Sequence, residues 1–250
     1  MKFAGIIAEY DPFHNGHAWQ LAQAKALGAE RVAVAMSCSL VQRGALPLLP
    51  EAVRTRSALT CGADLVFALP APCACAGAEA FARAGVALLA AAGCDGLVFG
   101  AETPDAALLM EAAELLDSGS YRAALKAQLA GGARSFAAAR QAAAAQLASD
   151  ERVAALLDKP NNNLAVEYCR AIRSLAPRME AYPLPRQGAN HGEALQSAHG
   201  QFSSASALRK LWAEGGADAV APYVPEAVFP LYQEAYAAGA VHRFFRRRAV

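Results

Sequence analysis

Short apolar runs recur along the first hundred positions, each followed by a stretch with helical spacing. Phe3-Ala4-Gly5-Ile6-Ile7-Ala8 is the first. Arg31-Val32-Ala33-Val34-Ala35-Met36, Asp64-Leu65-Val66-Phe67-Ala68-Leu69 and Gly96-Leu97-Val98-Phe99 come after it. Runs that are apolar throughout, rather than alternating with polar residues, predict strands buried on both faces. The segments between them, Gly16 to Leu27, Pro50 to Cys61 and Cys75 to Ala92, predict helices. Gly28 and Gly62 are placed to end the first two, Pro70 stops the third strand and Gly100 closes the fourth. Strands that alternate with helices imply a parallel sheet covered on both sides. The predicted class is α/β, a doubly wound, Rossmann-like fold.

The pattern changes after Thr103. Residues 104–157 are alanine-rich and helical in period, broken at Gly131-Gly132, and read as a helical insertion. The sheet resumes within 158–225, where Leu164 to Leu175 predicts a helix, Met179 to Leu184 a last short strand, and Ser203 to Glu214 a helix that opens with hydroxyls. Residues 226–250 form a helical and basic tail. The first part of the α/β domain is therefore 1–103, and 158–225 is its remainder.

Composition narrows the picture modestly. The chain has 250 residues, 55% of them hydrophobic, which is enough for a large core, and its net charge of +1 carries no global signature of nucleic-acid binding. The six cysteines are scattered, and Cys73-Ala74-Cys75 has the wrong spacing for a zinc knuckle, so reduced thiols are expected. The apolar start is too short for a secretory leader, and the stretch from Ala84 to Cys94 is too short to span a bilayer. A cytoplasmic protein without a membrane partner is expected.

The chemistry concentrates where the first strand gives way to the first helix. Glu9-Tyr10-Asp11-Pro12-Phe13-His14-Asn15-Gly16-His17 places two imidazoles one helical turn apart, so that both can face one ligand if the helix starts near Asn15. A helix start also offers unpaired N–H groups and partial positive charge to an anion. Gly16 lets the backbone approach closely. This is a phosphate grip, and binding through it should vary with pH near neutrality, where histidine titrates. Further candidates lie downstream. Gly100 and Glu102 close the fourth strand, where Glu102 could accept from a ribose hydroxyl. Asn161 and Asn162 precede a helix, one expected as its cap and the other as a nucleotide contact. Ser204, Ser206 and Arg209 sit at a late helix start suited to phosphate. Arg43 and Arg54 read as phosphate contacts or solvated charge, with solvated charge favoured for Arg54.

Together these segments resemble one family. The strand with His14-Asn15-Gly16-His17 and the late Ser204-Ala205-Ser206-Ala207-Leu208-Arg209 resemble the nucleotidylyltransferase superfamily with its His-x-Gly-His signature. The longer run from Glu9 to His17 is similar to the bacterial tRNA(Met) cytidine acetate ligase family. So are Met36-Ser37, Val41-Gln42-Arg43-Gly44, Gly62-Ala63-Asp64-Leu65-Val66, Phe99-Gly100-Ala101-Glu102 and Pro160-Asn161-Asn162. The resemblance covers residues 1 to about 225. It implies activation of acetate by ATP to acetyl-adenylate, then acetyl transfer to the wobble cytidine of elongator tRNA(Met). It implies that His14 and His17, with Arg209, serve catalysis. ATP contacts are implied for Ile7, Ala8, Glu9, Tyr10, Asp11, Pro12, Phe13, Asn15, Gly16, Gly100, Glu102, Asn161, Asn162 and Arg186, with Ser204 and Ser206 at the pyrophosphate end. Mg2+ is implied as a bridge between phosphates, with no dedicated protein ligands. The chain departs from the family pattern at Cys38-Ser39-Leu40, Ala45-Leu46, Pro50-Glu51 and Gly188 to Gly192. Typical members also continue well over a hundred residues past the point where this sequence ends, a part expected to touch tRNA. Two other readings stay open: adenylylation of a small metabolite, and nucleotide binding without catalysis. The basic and aromatic segment His242 to Arg248 suits either RNA contact or a solvated terminus. Oligomeric state is not legible.

Overall fold

The computed structural model describes residues 1–186, 196–197 and 200–242; the Gly188 to Gly192 segment and the tail beyond His242 lie outside them. Five strands form one sheet: β1 (Phe3–Ala8), β2 (Arg31–Ser37), β3 (Leu65–Leu69), β4 (Gly96–Ala101) and β5 (Glu180–Pro185), in the order β3-β2-β1-β4-β5. Every pairing in it is parallel, with Ile6 beside Val34, Gly5 beside Leu97, and Val98 beside Tyr182. The apolar runs that predict strands all become strands, with ends within about two residues of the expected ones. Residues Gln196–Ser197 and Gly200–Gln201 add a small antiparallel pair, β6 and β7.

Between the strands lie α1 (Asn15–Ala26), α2 (Glu51–Thr60), α3 (Ala71–Ala74) and α4 (Ala78–Ala91). Beyond β4 come α5 (Ala106–Asp117), α6 (Gly119–Ala130), α7 (Phe136–Leu147), α8 (Glu151–Leu156) and α9 (Pro160–Leu175), and after β5 come α10 (Ala205–Gly215) and α11 (Phe229–Ala237). The sheet separates two apolar cores. On one side Leu89, Phe99, Leu109 and Ile172 meet; on the other Ile6, Val34, Trp212 and Tyr232 meet. Helices therefore cover both faces, as the continuous apolar strands require. Among the described residues no helix is long and apolar enough to cross a membrane.

Two local features set how the helices lie on the sheet and on one another. A Cβ on Gly85 would lie 2.5 Å from the Ile7 side chain, so only glycine lets α4 rest directly on β1. The other is a charge network: Glu167, 3% exposed, pairs with Arg140 at 2.5 Å and Arg170 at 2.7 Å, and Arg170 reaches Asp117 at 2.8 Å. It ties α9 to α7 and α5. The sheet borders differ in kind: β5 carries Pro183 and Pro185, whereas β3 has neither proline nor charge, and its Leu65 is 45% exposed.

Strand order reverses between β1 and β4, so the connections leaving their carboxyl ends diverge and open a crevice there, the usual ligand site of such sheets.

Candidate nucleotide-binding site

The segment after β1 is fixed from several directions. Tyr10 takes a left-handed φ of +50°, costly for a residue with a Cβ, and Asp11–Pro12 is cis. Packing supports the turn: the Tyr10 ring is buried edge-on against Phe13 at 4.9 Å and His17 at 4.8 Å. Leu48 N donates to Asp11 Oδ1 at 2.5 Å, while Arg209 Nη1 donates to Asp11 O at 2.5 Å and lies 3.2 Å from its Oδ2. Tyr232 Oη donates to Phe13 O at 2.6 Å, and Asn15 Nδ2 to Pro222 O at 3.3 Å.

Arg54 corrects an expectation. It is 0% exposed, not solvated. Its guanidinium donates to Glu9 O at 2.7 Å, Ser37 O at 2.6 Å and Leu49 O at 3.1 Å, and also to Cys38 O. It thereby fastens the ends of β1 and β2 to the start of α2. Sequence reasoning fails here because an arginine followed by Thr55-Arg56 on a helix looks like a solvated face. Arg43, the other candidate contact, is exposed.

The two histidines form a reciprocal cap on α1. His14 is its N-cap residue. The Nδ1 of His14 accepts from Gly16 N at 3.0 Å, and the Nδ1 of His17 accepts from His14 N at 3.3 Å. The rings stack, with centroids 3.8 Å apart. Since both Nδ1 atoms accept, the proton of each neutral ring sits on Nε2, giving two outward N–H donors. Burial pushes the His14 imidazole down to about 3, helped by the Arg186 charge. Burial, then His14 and Arg186, hold His17 well below its usual range. Both rings are therefore neutral near pH 7, and their titration moves from neutrality to acid. Gly16 has a role beyond ligand approach, since a Cβ there would stand 2.9 Å from the His14 ring.

These donors face a cavity of about 370 Å³. Of the expected contacts, Ile7, Ala8, Glu9, Tyr10, Asp11, His14, Gly16, His17, Gly100, Asn161 and Arg186 line it. Arg186 donates to Asn161 Oδ1 across the mouths of β5 and α9. Ala205, at the start of α10, also reaches it.

Other expected contacts stand elsewhere. Phe13 is core, and Pro12 and Asn15 are buried. The Glu102 carboxylate accepts from Asn161 N at 3.2 Å, Asn161 Nδ2 at 2.6 Å and Asn162 N at 2.7 Å. Burial tends to raise its pKa, but these bonds hold it below the usual range. Glu102 thus caps α9, whose first residue is Pro160, and the asparagines lie inside the first turn instead of capping it. Asn162 is 1% exposed and is spent on Thr103 N at 2.9 Å and Thr103 Oγ1 at 3.1 Å. Ser204 caps α10 through Ala207 N at 3.2 Å and sits 3.1 Å from Ser206 Oγ. Arg209 is engaged by Asp11.

The cavity also has walls that sequence did not reveal. Phe81, Phe99, Leu164 and Tyr168 make an apolar side, and Trp19, Gln20, Gln42 and Leu184 complete the rim. Phe81 and Tyr168 lie on α4 and α9 with ordinary core spacing, so no local signal marks them. Gln42 is adjacent to the arginine that sequence reasoning chose, and its backbone N donates to Glu9 Oε1 at 2.6 Å.

The model of the HIGH Nucleotidyl Transferase family matches residues 1–247. The chain belongs to this family. Its His14-Asn15-Gly16-His17 segment is the double-histidine cap on α1. Within the HIGH nucleotidyl transferases the chain is similar to the tRNA(Met) cytidine acetate ligase of Syntrophotalea carbinolica, 41% identical over 218 residues, 86% of this chain and 52% of that protein. It is 34% identical to the ligase of the same name from Caldanaerobacter subterraneus subsp. tengcongensis, covering 96% of this chain and 60% of that one. Its backbone is similar to Thermotoga maritima TmcAL bound with alpha-thio ATP, at a TM-score of 0.86 and 30% identity, over 96% of this chain and 57% of that one. Against the apo form of the same protein the TM-score is 0.87 and the identity 32%, over 96% of this chain and 58% of that one. The chain thus spans between about half and three fifths of these relatives.

Proposed function

We propose that this chain is an ATP-dependent acetate ligase that forms acetyl-adenylate and passes the acetyl group to the wobble cytidine of elongator tRNA(Met). One observation carries the reading: two stacked, neutral histidines present Nε2–H donors to a cavity at a helix start, in a chain similar to tRNA(Met) cytidine acetate ligases. The solved relative with an ATP analogue supports ATP as the nucleotide.

In this reading the base and ribose lie near Gly100, Asn161 and Arg186, and the phosphates lie over α1. A carboxylate oxygen of acetate attacks the α-phosphorus, the bond to the β-phosphate breaks, and pyrophosphate leaves. No proton has to move. The transition state gains charge on the α-phosphoryl oxygens, and fixed N–H donors already aimed there stabilise it without reorganising. Because the imidazoles are neutral, their donors stay in place across the neutral pH range. Ser204, Ser206 and the α10 start would hold the pyrophosphate end. Arg209 would assist through its Nε and Nη2 groups, which have no partner among the described residues. Mg2+ would be carried on the phosphates with few protein ligands; among the described residues no group of three or more His, Cys, Asp or Glu side chains could hold a metal ion. Such an ion would neutralise phosphate charge.

The test is ATP–pyrophosphate exchange with and without acetate. Exchange that requires acetate supports the reading. ATP binding without exchange overturns it, and exchange driven only by another metabolite moves the assignment to the adenylylation alternative.

A further inference from the structure

We infer that Glu9 is the base that takes the proton from the amine of the acyl acceptor in the second half-reaction, an inference that rests on the acetate-ligase reading. Glu9 lines the cavity, and both its backbone and its side chain are held. Its carbonyl accepts from buried Arg54 at 2.7 Å, and its Oε1 accepts from Gln42 N at 2.6 Å. Among the described residues Oε2 has no partner. The result is one carboxylate oxygen fixed in position with its acceptor capacity unspent, the state a general base needs before substrate arrives.

Electrostatics separates this role from substrate binding. A carboxylate opposes the entry of a nucleoside triphosphate and of acetate, both anions, so Glu9 gives neither any charge attraction. Adenylate formation releases no proton. Transfer does. The exocyclic amine of cytidine has its lone pair delocalised into the ring and is a weak nucleophile unless a base takes its proton as the new bond forms. In the step assigned here the amine nitrogen bonds to the acetyl carbonyl carbon. The bond from that carbon to the AMP oxygen breaks, AMP leaves with the electron pair, and the amine proton passes to Glu9 Oε2 and then to solvent.

Position agrees. β1 stands between β2 and β4 in the sheet. Gly100, Asn161 and Arg186 occupy the β4–β5 side, whereas Glu9 is fastened to Gln42 on the β2 side, with His14 and His17 at the α1 start below. A nucleotide on the first side leaves the second for the acceptor.

Glu9→Gln tests this, because its amide oxygen still accepts from Gln42 N while the other position becomes a donor. Acetate-dependent exchange and acetyl transfer to tRNA(Met) transcript, or to free cytidine, are measured on the same preparation of the full chain. The expected result is a fall in transfer of about 10²–10⁴-fold, at least tenfold greater than any fall in exchange, with loss of the acid limb of the transfer pH profile. Glu9→Asp, which keeps a carboxylate, is expected to transfer faster than Glu9→Gln. Equal falls in the two activities, or equal transfer by the two variants, overturn the inference. Wild-type protein that exchanges but transfers to neither acceptor overturns it while leaving adenylate formation standing. Absence of exchange in the wild type overturns the ligase reading itself.

Discussion

His17 does two separable jobs, and substitution can tell them apart. Its Nδ1 accepts from His14 N and completes the α1 cap; its Nε2–H faces the cavity. Asparagine places an oxygen near the Nδ1 position and nothing at Nε2. His17→Asn is therefore expected to keep the melting temperature within a few degrees while acetate-dependent exchange falls about 10²–10³-fold. Normal exchange in that variant would make His17 structural. The same rings set an acid sensitivity. Both titrate lower in the folded protein than the ordinary value near 6.5, so below that pH the unfolded chain binds more protons than the native one. Stability should be indifferent to these two groups above about pH 7 and should decline as pH falls from about 6.5. Urea titrations between pH 4.5 and 8 check this, and His14→Asn should flatten the slope. Sequence alone gives the identity and spacing of the histidines but not their protonation, which depends on burial and on Arg186, 169 or more positions away in the chain.

Elements with their own signals were legible. β1, β2 and β4 announce themselves because a strand buried on both faces has nowhere to place a polar residue, whereas β3 is just as apolar although only its last residue, Leu69, is buried. The start of α9 was misread for the opposite reason. Three asparagines resemble a local cap, yet Pro160 begins the helix and the acceptor for its first N–H groups comes from Glu102 at the end of β4. No window of sequence contains both partners. Glu102→Ala should leave those donors without an acceptor and lower stability by about 1–2 kcal/mol, read from chemical denaturation, while Glu102→Gln should recover part of it. If alanine costs nothing, the Glu102 contacts are incidental to the helix.

Across the whole molecule, the cavity is assembled from segments that lie far apart in the chain. Residues 7–20, 42, 81, 99–100, 161–168, 184–186 and 205 converge because strand order reverses beside β1 and because α4 and α9 cover one face. The glycine-histidine turn was readable as chemistry, but the apolar wall of Phe81 and Tyr168 was not, since a residue facing a ligand and a residue facing a core share one hydrophobic pattern. The two borders of the sheet carry a consequence for how the protein behaves outside its native state. Prolines on β5 interrupt a docking strand, while β3 presents five apolar residues with an exposed leucine and no such interruption. A partly opened chain therefore has one sticky border and one guarded border, and self-association during expression or heating will begin along β3.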